Sequence, residues 1–272
     1  MNPLFSARPA VITALRAAGC VFAEDEADLI LSAARTEAGL AALVSRRAAG
    51  EPLEVVVGWA EFAGLRIAVA PGVFVPRRRT EYLVDRALVT APHAKVVVDL
   101  CCGSGAVGAA LAASLTSPEP HATPPELHAA DVDPAAVACA RANLTPYGGR
   151  VHEGDLYAAL PDTLRGRVDI LAANVPYVPT GEVALLPTEA RDHEPLVALD
   201  GGTDGLDVLR RVAAEAAHWL APGGCLLVET SEHQARRALD AFAAGGLTPR
   251  LEYDDDLYAH VVLGIRRSGR EA

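Results

Sequence analysis

Two periodicities divide the chain. Between about residues 8 and 49, apolar side chains return every three or four positions: Val11, Leu15 and Ala18, then Ala27 and Leu31, then Leu40, Leu43 and Val44. That spacing lines one face of a helix. Gly19 and Gly39 read as helix stops, and Glu24 or Asp25 as the start of the second helix. Gly50-Glu51-Pro52 breaks the pattern. Residues 55–57 and 62–69 then predict two short strands joined by a turn. Pro71-Gly72 punctuates again, and Thr80 stands where the cap of a helix beginning near Glu81 belongs.

From about residue 95 the rhythm changes to alternating strands and helices. Strands are predicted at 96–100, 127–131, 151–155 (the weakest), 168–173, 225–229 and 258–263. Helices are predicted at 106–115, 134–143, 206–220 and 234–244, the third stopped by Ala221-Pro-Gly-Gly224. Residues 121–125 read as a surface loop. Such alternation implies an open, mostly parallel α/β sheet covered on both faces. Ligands of doubly wound sheets lie beyond the carboxyl ends of the strands, and the polar residues gather there. Asp99 opens the turn Cys101-Cys102-Gly103-Ser104-Gly105, while Asp131, Asp155 and Asn174 end the next three strands.

The 272 residues are 51% hydrophobic, enough for a sizeable core. A net charge of −11 argues against a broad nucleic-acid-binding face, which needs lysine and arginine to neutralise phosphates. The densest positive run is Arg77-Arg78-Arg79, either a solvated linker or an edge facing a partner or cofactor. No run of eighteen apolar residues predicts a membrane span, and the first residues do not read as a signal peptide. The five cysteines, Cys20, Cys101, Cys102, Cys139 and Cys225, form no C-x-x-C pair. They read as buried thiols in a reducing cytoplasm, with no metal site expected.

The chemistry concentrates in Asn174-Val175-Pro176-Tyr177. Two prolines, Pro176 and Pro179, hold Val175 and Val178 extended after the strand. The tip offers one carboxamide, free carbonyls and one aromatic face, a holder for the planar NH2 of an amide or an aromatic amine. A Pro-rich turn with Asn174 capping its own backbone is the plainer alternative. The turn Gly103-Ser-Gly105-Ala-Val-Gly108 fits the dinucleotide spacing, so a nicotinamide cofactor is open on the motif alone.

With the acid placed before it, however, Asp99-Leu-x-x-Gly-Ser-Gly resembles motif I of class I S-adenosylmethionine-dependent methyltransferases. Asn174-Val-Pro-Tyr177 resembles their Asn-Pro-Pro-Tyr motif, which two branches share: adenine amino methyltransferases, and protein-glutamine N(5)-methyltransferases of the HemK/PrmC type. The flanks are similar to the second branch: Gly50-Glu-Pro-Leu53, Gly58-x-x-Glu-Phe62-x-Gly64-Leu65, Pro76-Arg77-x-x-Thr80-Glu81-x-Leu-Val84, and Glu189-Ala-Arg191-Asp-His-Glu194-Pro195 through Leu206.

The resemblance implies a Rossmann-like methyltransferase sheet at 81–272, a β-hairpin linker at 51–80 and a small helical domain at 1–50. It implies that Asp99, Cys101, Cys102, Gly103, Ser104, Gly105, Asp131, Asp155, Leu156 and Asn174 bind S-adenosyl-L-methionine. Asn174, Val175, Pro176 and Tyr177 would hold the reacting glutamine. The implied substrate is a protein, first the Gly-Gly-Gln loop of a peptide-chain release factor, then a ribosomal protein; adenine methylation of DNA or RNA and a non-catalytic module follow. The chain departs from the family pattern at Val175 (usually Pro), Cys101 (usually Gly) and Leu156 (often aromatic). Asp192 and His193 are not expected to act as a base.

Overall fold

The structure, a computed structural model, describes residues 3–116 and 124–267. Residues 121–123 of the expected surface loop lie outside that range. Helices α1 (Arg8–Ala17), α2 (Ala23–Ala33) and α3 (Glu37–Ala48) pack as an N-terminal layer around Leu15, Ala27, Ile30, Leu31 and Leu40. Helix α2 opens on Glu24, Asp25 and Glu26, acids that suit the positive end of the helix dipole.

Two local expectations fail here. Gly39 does not stop a helix; it lies in the first turn of α3, and its N–H donates to the Thr36 hydroxyl at 3.0 Å. The Thr36 cap outweighs the propensity of one glycine. Residues 55–57 are not a strand but the end of helix α4 (Leu53–Val57), which starts after Pro52 and stops at Gly58 with φ of 85°. The β-branched run was read by propensity, and burial of Val56 against the N-terminal helices overrides it.

Strands β1 (Trp59–Phe62) and β2 (Leu65–Ala68) form an antiparallel hairpin. Its two-residue turn is Ala63-Gly64, both at positive φ, the twist such hairpins need. Helix α5 (Glu81–Thr90) follows. The Thr80 side chain does not cap it; its hydroxyl is directed elsewhere, as described below.

The main sheet contains β3 (Val96–Leu100), β4 (Glu126–Asp131), β5 (Arg150–Glu153), β6 (Val168–Ala173), β7 (Leu220–Thr230), β8 (Leu247–Asp254) and β9 (Ala259–Arg266), in the order β5-β4-β3-β6-β7-β9-β8. Pairings from β5 to β7 are parallel, and β9 is antiparallel to both β7 and β8. The sequence reading missed β8, whose burial alternates weakly. Helices α6 (Ala106–Leu115) and α7 (Pro134–Leu144) join α5 on one face. Two short helices, α8 (Thr188–His193) and α9 (Leu196–Leu199), precede α10 (Asp207–Trp219), which with α11 (Ala235–Ala244) covers the other. Side chains of β3 alternate between the two cores, Val97 to one and Val96, Val98 and Leu100 to the other.

The topology settles where a ligand can sit. After β3 the chain winds outward through β4 and β5, then returns to place β6 on the other side of β3. That reversal opens a crevice at the carboxyl ends of β3 and β6. Leu100 is in register with Ala173, so Cys101 and Asn174 leave the sheet on adjacent strands.

Candidate active site

A cavity of about 610 Å³ opens at this switch point. Asp99, Cys101, Cys102, Gly103, Ser104, Asp131, Asp155, Leu156, Asn174, Val175, Pro176 and Tyr177 all line it. Gly105 does not: its Cα faces α7, where an added Cβ would come within 3.2 Å of Ala140 and Leu144. Gly105 therefore lets α6 and α7 close together rather than touching a ligand.

The glycine turn is held by carboxylates acting on backbone amides. Cys101, Gly103 and Gly105 have φ of 54°, 53° and 78°. The left-handed geometry at 101 is the one glycine adopts freely, and this chain sets a cysteine there. Asp131 Oδ2 accepts the Gly103 N–H at 2.8 Å, and Oδ1 accepts the Asp133 N–H at 3.0 Å. Asp99 Oδ2 accepts the Gly108 N–H at 2.9 Å, deep in the sheet. A Cβ at residue 108 would lie 3.2 Å from that oxygen. The third glycine of the apparent dinucleotide spacing thus makes room for Asp99.

Burial pushes the Asp99 carboxyl up to about 7; the Gly108 N–H opposes this and the nearby Asp131 charge adds to it. Burial also raises Asp131, against the Asp133 and Gly103 amides. Asp155 is more exposed, and Arg211 of α10 donates to its Oδ2 at 2.6 Å. Leu156 follows at φ of 50°.

The Asn174 corner is built differently. Asn174 Nδ2 donates to Thr80 Oγ1 at 3.4 Å, while Asn174 Oδ1 is buried without a hydrogen-bond partner. The Thr80 hydroxyl donates to Glu229 Oε2 at 2.6 Å. Glu229 Oε1 accepts from Arg79 Nε at 2.9 Å and from the Tyr177 hydroxyl at 3.2 Å. Arg79 Nη2 also donates to the Tyr177 oxygen, and its guanidinium lies 5.7 Å from the Tyr177 ring centre. Burial raises the Tyr177 hydroxyl pKa, the Glu229 charge acts with it and Arg79 acts against it. The Tyr177 carbonyl accepts from Gln234 Nε2 at 2.8 Å, so it is already engaged. Among the described residues, no hydrogen bond ends on the carbonyls of Val175 and Pro176.

The arginine run is not simply a solvated linker: Arg77 and Arg79 line the cavity, in keeping with an edge facing a partner or cofactor. Arg77 pairs with the buried Glu194 at 2.5 Å, Arg79 with Glu229, and Arg78 is exposed. Glu229 and Gln234 are the participants that sequence reasoning missed; Arg79 and Thr80 stand in segments it singled out, without these contacts. One signal was available for Glu229: it ends the fifth predicted strand, as Asp99, Asp131, Asp155 and Asn174 end the first four. The contact of Thr80 with Glu229 had no such signal, because only the fold brings the linker against β7.

Comparison with known proteins agrees with this architecture. The family model described as the methyltransferase small domain matches residues 64–186. A methyltransferase from Pyrococcus furiosus superposes with a TM-score of 0.53 at 16% identity, over 75% of this chain and 90% of that one. A ribosomal protein L11 methylase from Lactobacillus delbrueckii subsp. bulgaricus superposes at 0.50, also at 16% identity, over 74% and 85%. Those likenesses are of fold. In sequence the chain is 42% identical to a release factor glutamine methyltransferase of Geobacter sulfurreducens, over 75% of this chain and 69% of the relative. A protein of the same name from Mycolicibacterium smegmatis is 40% identical over 75% and 70%. A 4-amino-L-phenylalanine/4-methylamino-L-phenylalanine methyltransferase of Streptomyces pristinaespiralis is 37% identical over 75% and 69%. On the extent and identity of these matches, the chain belongs to the release factor glutamine methyltransferase family, a branch of the class I S-adenosylmethionine-dependent methyltransferases.

Proposed function

We propose that this chain methylates the side-chain amide nitrogen of a protein glutamine, in the Gly-Gly-Gln loop of a peptide-chain release factor. The observation that carries the reading is Asn174: a carboxamide oxygen without a partner, next to the glycine turn, at the end of a strand adjacent to β3. The relatives named for that reaction support it.

The residues present suit S-adenosylmethionine. The Asp131 oxygens each take one backbone N–H and keep lone pairs for a ribose diol. Val132 and Leu156 offer apolar walls in the same cavity for an adenine ring. The buried Asp99, whose carboxyl burial lifts to about 7, would be drawn into its ionised form by a cationic amino group. Bound there, the cofactor supplies an electrophilic methyl group on a sulfonium.

A glutamine amide nitrogen is a poor nucleophile because its lone pair is delocalised into the carbonyl. The protein's task is orientation in a dry site. Asn174 Oδ1 would accept one amide N–H and the Val175 or Pro176 carbonyl the other. Tyr177 would pack on the amide plane. Both acceptors meet positive charge as it grows on nitrogen, which favours the transition state over the ground state. The amide nitrogen would exchange one N–H proton, passed finally to bulk water, for the methyl group, whose former bonding pair would stay on sulfur as a neutral thioether. Val175 keeps its carbonyl where the family has proline, so the substitution leaves the acceptor in place.

The division into 1–50, 51–80 and 81–272 is part of this proposal, with the helical unit docking the protein substrate. Packing of Val56 and the α4 side chains into the helical core supports a helical unit continuous with the start of the linker.

The test is incubation with labelled S-adenosylmethionine and either an unmethylated release factor, the same factor with the Gly-Gly-Gln glutamine changed to alanine, ribosomal protein, DNA, or 4-amino-L-phenylalanine. Label only in the unaltered release factor is the expected result. Label in the arylamine alone would move the chain to the chemistry of its Streptomyces pristinaespiralis relative.

A further inference from the structure

We propose that Glu229 is a positioning residue that decides which end of the Asn174 amide faces the substrate. The inference rests on the amide-clamp reading above. Glu229 is 3% exposed at its side chain and does not line the cavity, so it acts through other groups.

Its leverage comes from having only acceptor atoms when ionised. Oε2 takes the Thr80 hydroxyl proton at 2.6 Å. Thr80 Oγ1 then has no proton left for Asn174 and meets it as an acceptor. Asn174 must turn Nδ2 toward Thr80, and this leaves Oδ1 as the end without a partner. The relay has one polarity, Asn174 N–H to Thr80 and Thr80 O–H to Glu229. A planar NH2 group needs an acceptor opposite it, and this polarity provides one. The other carboxylate oxygen is fixed as well. Oε1 takes Arg79 Nε and the Tyr177 hydroxyl, and a guanidinium never becomes an acceptor. One carboxylate thereby orients both the Asn174 amide and the Tyr177 ring.

Glu229→Gln keeps the size and reverses the polarity. Arg79 can only donate, so the Gln carbonyl oxygen faces Arg79 and Tyr177 and its NH2 faces Thr80. Thr80 then accepts from that NH2, and its freed hydroxyl proton goes to Asn174 Oδ1. The Asn174 amide turns its NH2 toward the substrate, and two donors oppose each other.

The experiment compares kcat and KM on unmethylated release factor, and S-adenosylmethionine affinity by calorimetry, for the full chain and for Glu229→Gln, Thr80→Val, Thr80→Ser, the Glu229→Gln/Thr80→Val double variant and Asn174→Ala. Glu229→Gln is expected to lower kcat about 100-fold, the scale of a lost oriented acceptor. Cofactor affinity should stay within about threefold, since the half of the site holding the cofactor is untouched. Thr80→Val should lower kcat in the same way, and Thr80→Ser, which keeps the hydroxyl, should restore most of it. The double variant should fall well short of the product of the two single losses, because both cut one relay.

Wild-type kcat in Glu229→Gln, or losses that multiply, would overturn the proposal. Where Glu229→Gln does not fold, Thr80→Val and Thr80→Ser decide alone: equal turnover in the two overturns it. Asn174→Ala separates this outcome from failure of the clamp. Normal turnover in that variant sinks the clamp and the relay together. An inactive Asn174→Ala beside an active Glu229→Gln sinks only the role of Glu229.

Discussion

The two halves of the cavity are made in opposite ways. On the glycine-turn side, Asp99 and Asp131 accept from the backbone amides of Gly103, Gly108 and Asp133, each bond spanning 28 positions of chain or fewer. On the Asn174 side, the contacts are between side chains from the linker, the tip after β6 and β7, separated by 52 to 150 positions. Backbone amides have fixed direction, so the first half is preorganised by local folding. Side-chain hydroxyls and amides can rotate, so the second half needs a chain of partners to set their direction. The first half should therefore fail in binding and the second in turnover.

Asn174→Ala puts the largest strain on that contrast. Its turnover should fall about 10²- to 10³-fold or more, as for the loss of a transition-state hydrogen bond. Calorimetry should show S-adenosylmethionine still bound. Retained turnover would break the contrast and the clamp with it.

Asp131→Ala should act on the other half. Loss of a charge-assisted acceptor that also anchors the Gly103 amide should weaken cofactor binding about 10- to 100-fold. At saturating cofactor, kcat should change little. Unchanged affinity would remove the ribose role assigned to Asp131.

A subtler effect follows from Asp99, whose carboxyl is held at about 7 against an ordinary 3.8. The folded protein binds this proton more tightly than the unfolded chain does. The associated stability is fully present below about pH 3.8 and is lost as pH rises through about 7. The raised Asp131 contributes in the same direction. Melting temperatures of the free protein should therefore decline across that window, and Asp99→Asn should flatten the decline. Affinity for a cationic cofactor should move the opposite way, rising through about pH 7 as the carboxylate ionises. An Asp99→Asn profile identical to wild type in both measurements would refute the assignment.

Cys101→Gly is the smallest change. Relief of a left-handed backbone geometry at φ of 54° opposes the extra freedom glycine gives the unfolded chain. Stability measured by urea unfolding should shift by no more than about 1 kcal/mol. A larger loss would mean that the Cys101 side chain packs the turn.

Patterns with short range were legible without the fold. The strand at 168–173 and the helix at 106–115 fall on the predicted residues, because a run buried on both sheet faces and an alanine-rich helix each announce themselves locally. Helix α4 was misread because Val55, Val56 and Val57 favour strands locally, and only contact with α1–α3 reverses that preference. Residues 221–224 read as a helix stop, but α10 has already ended at Trp219 and they lie within β7, which begins at Leu220.

The sequence by itself determined the alternation of elements, the acid-plus-glycine turn and the Asn-x-Pro-Tyr tip, since each depends on neighbours a few residues away. Tertiary structure alone decided that β6 lies beside β3, that Arg77 and Arg79 pair with the buried Glu194 and Glu229, and that Glu229 and Thr80 set the direction of Asn174. The reason is physical: a backbone turn carries its geometry within itself. The orientation of a carboxamide depends on which donor or acceptor the fold places against it.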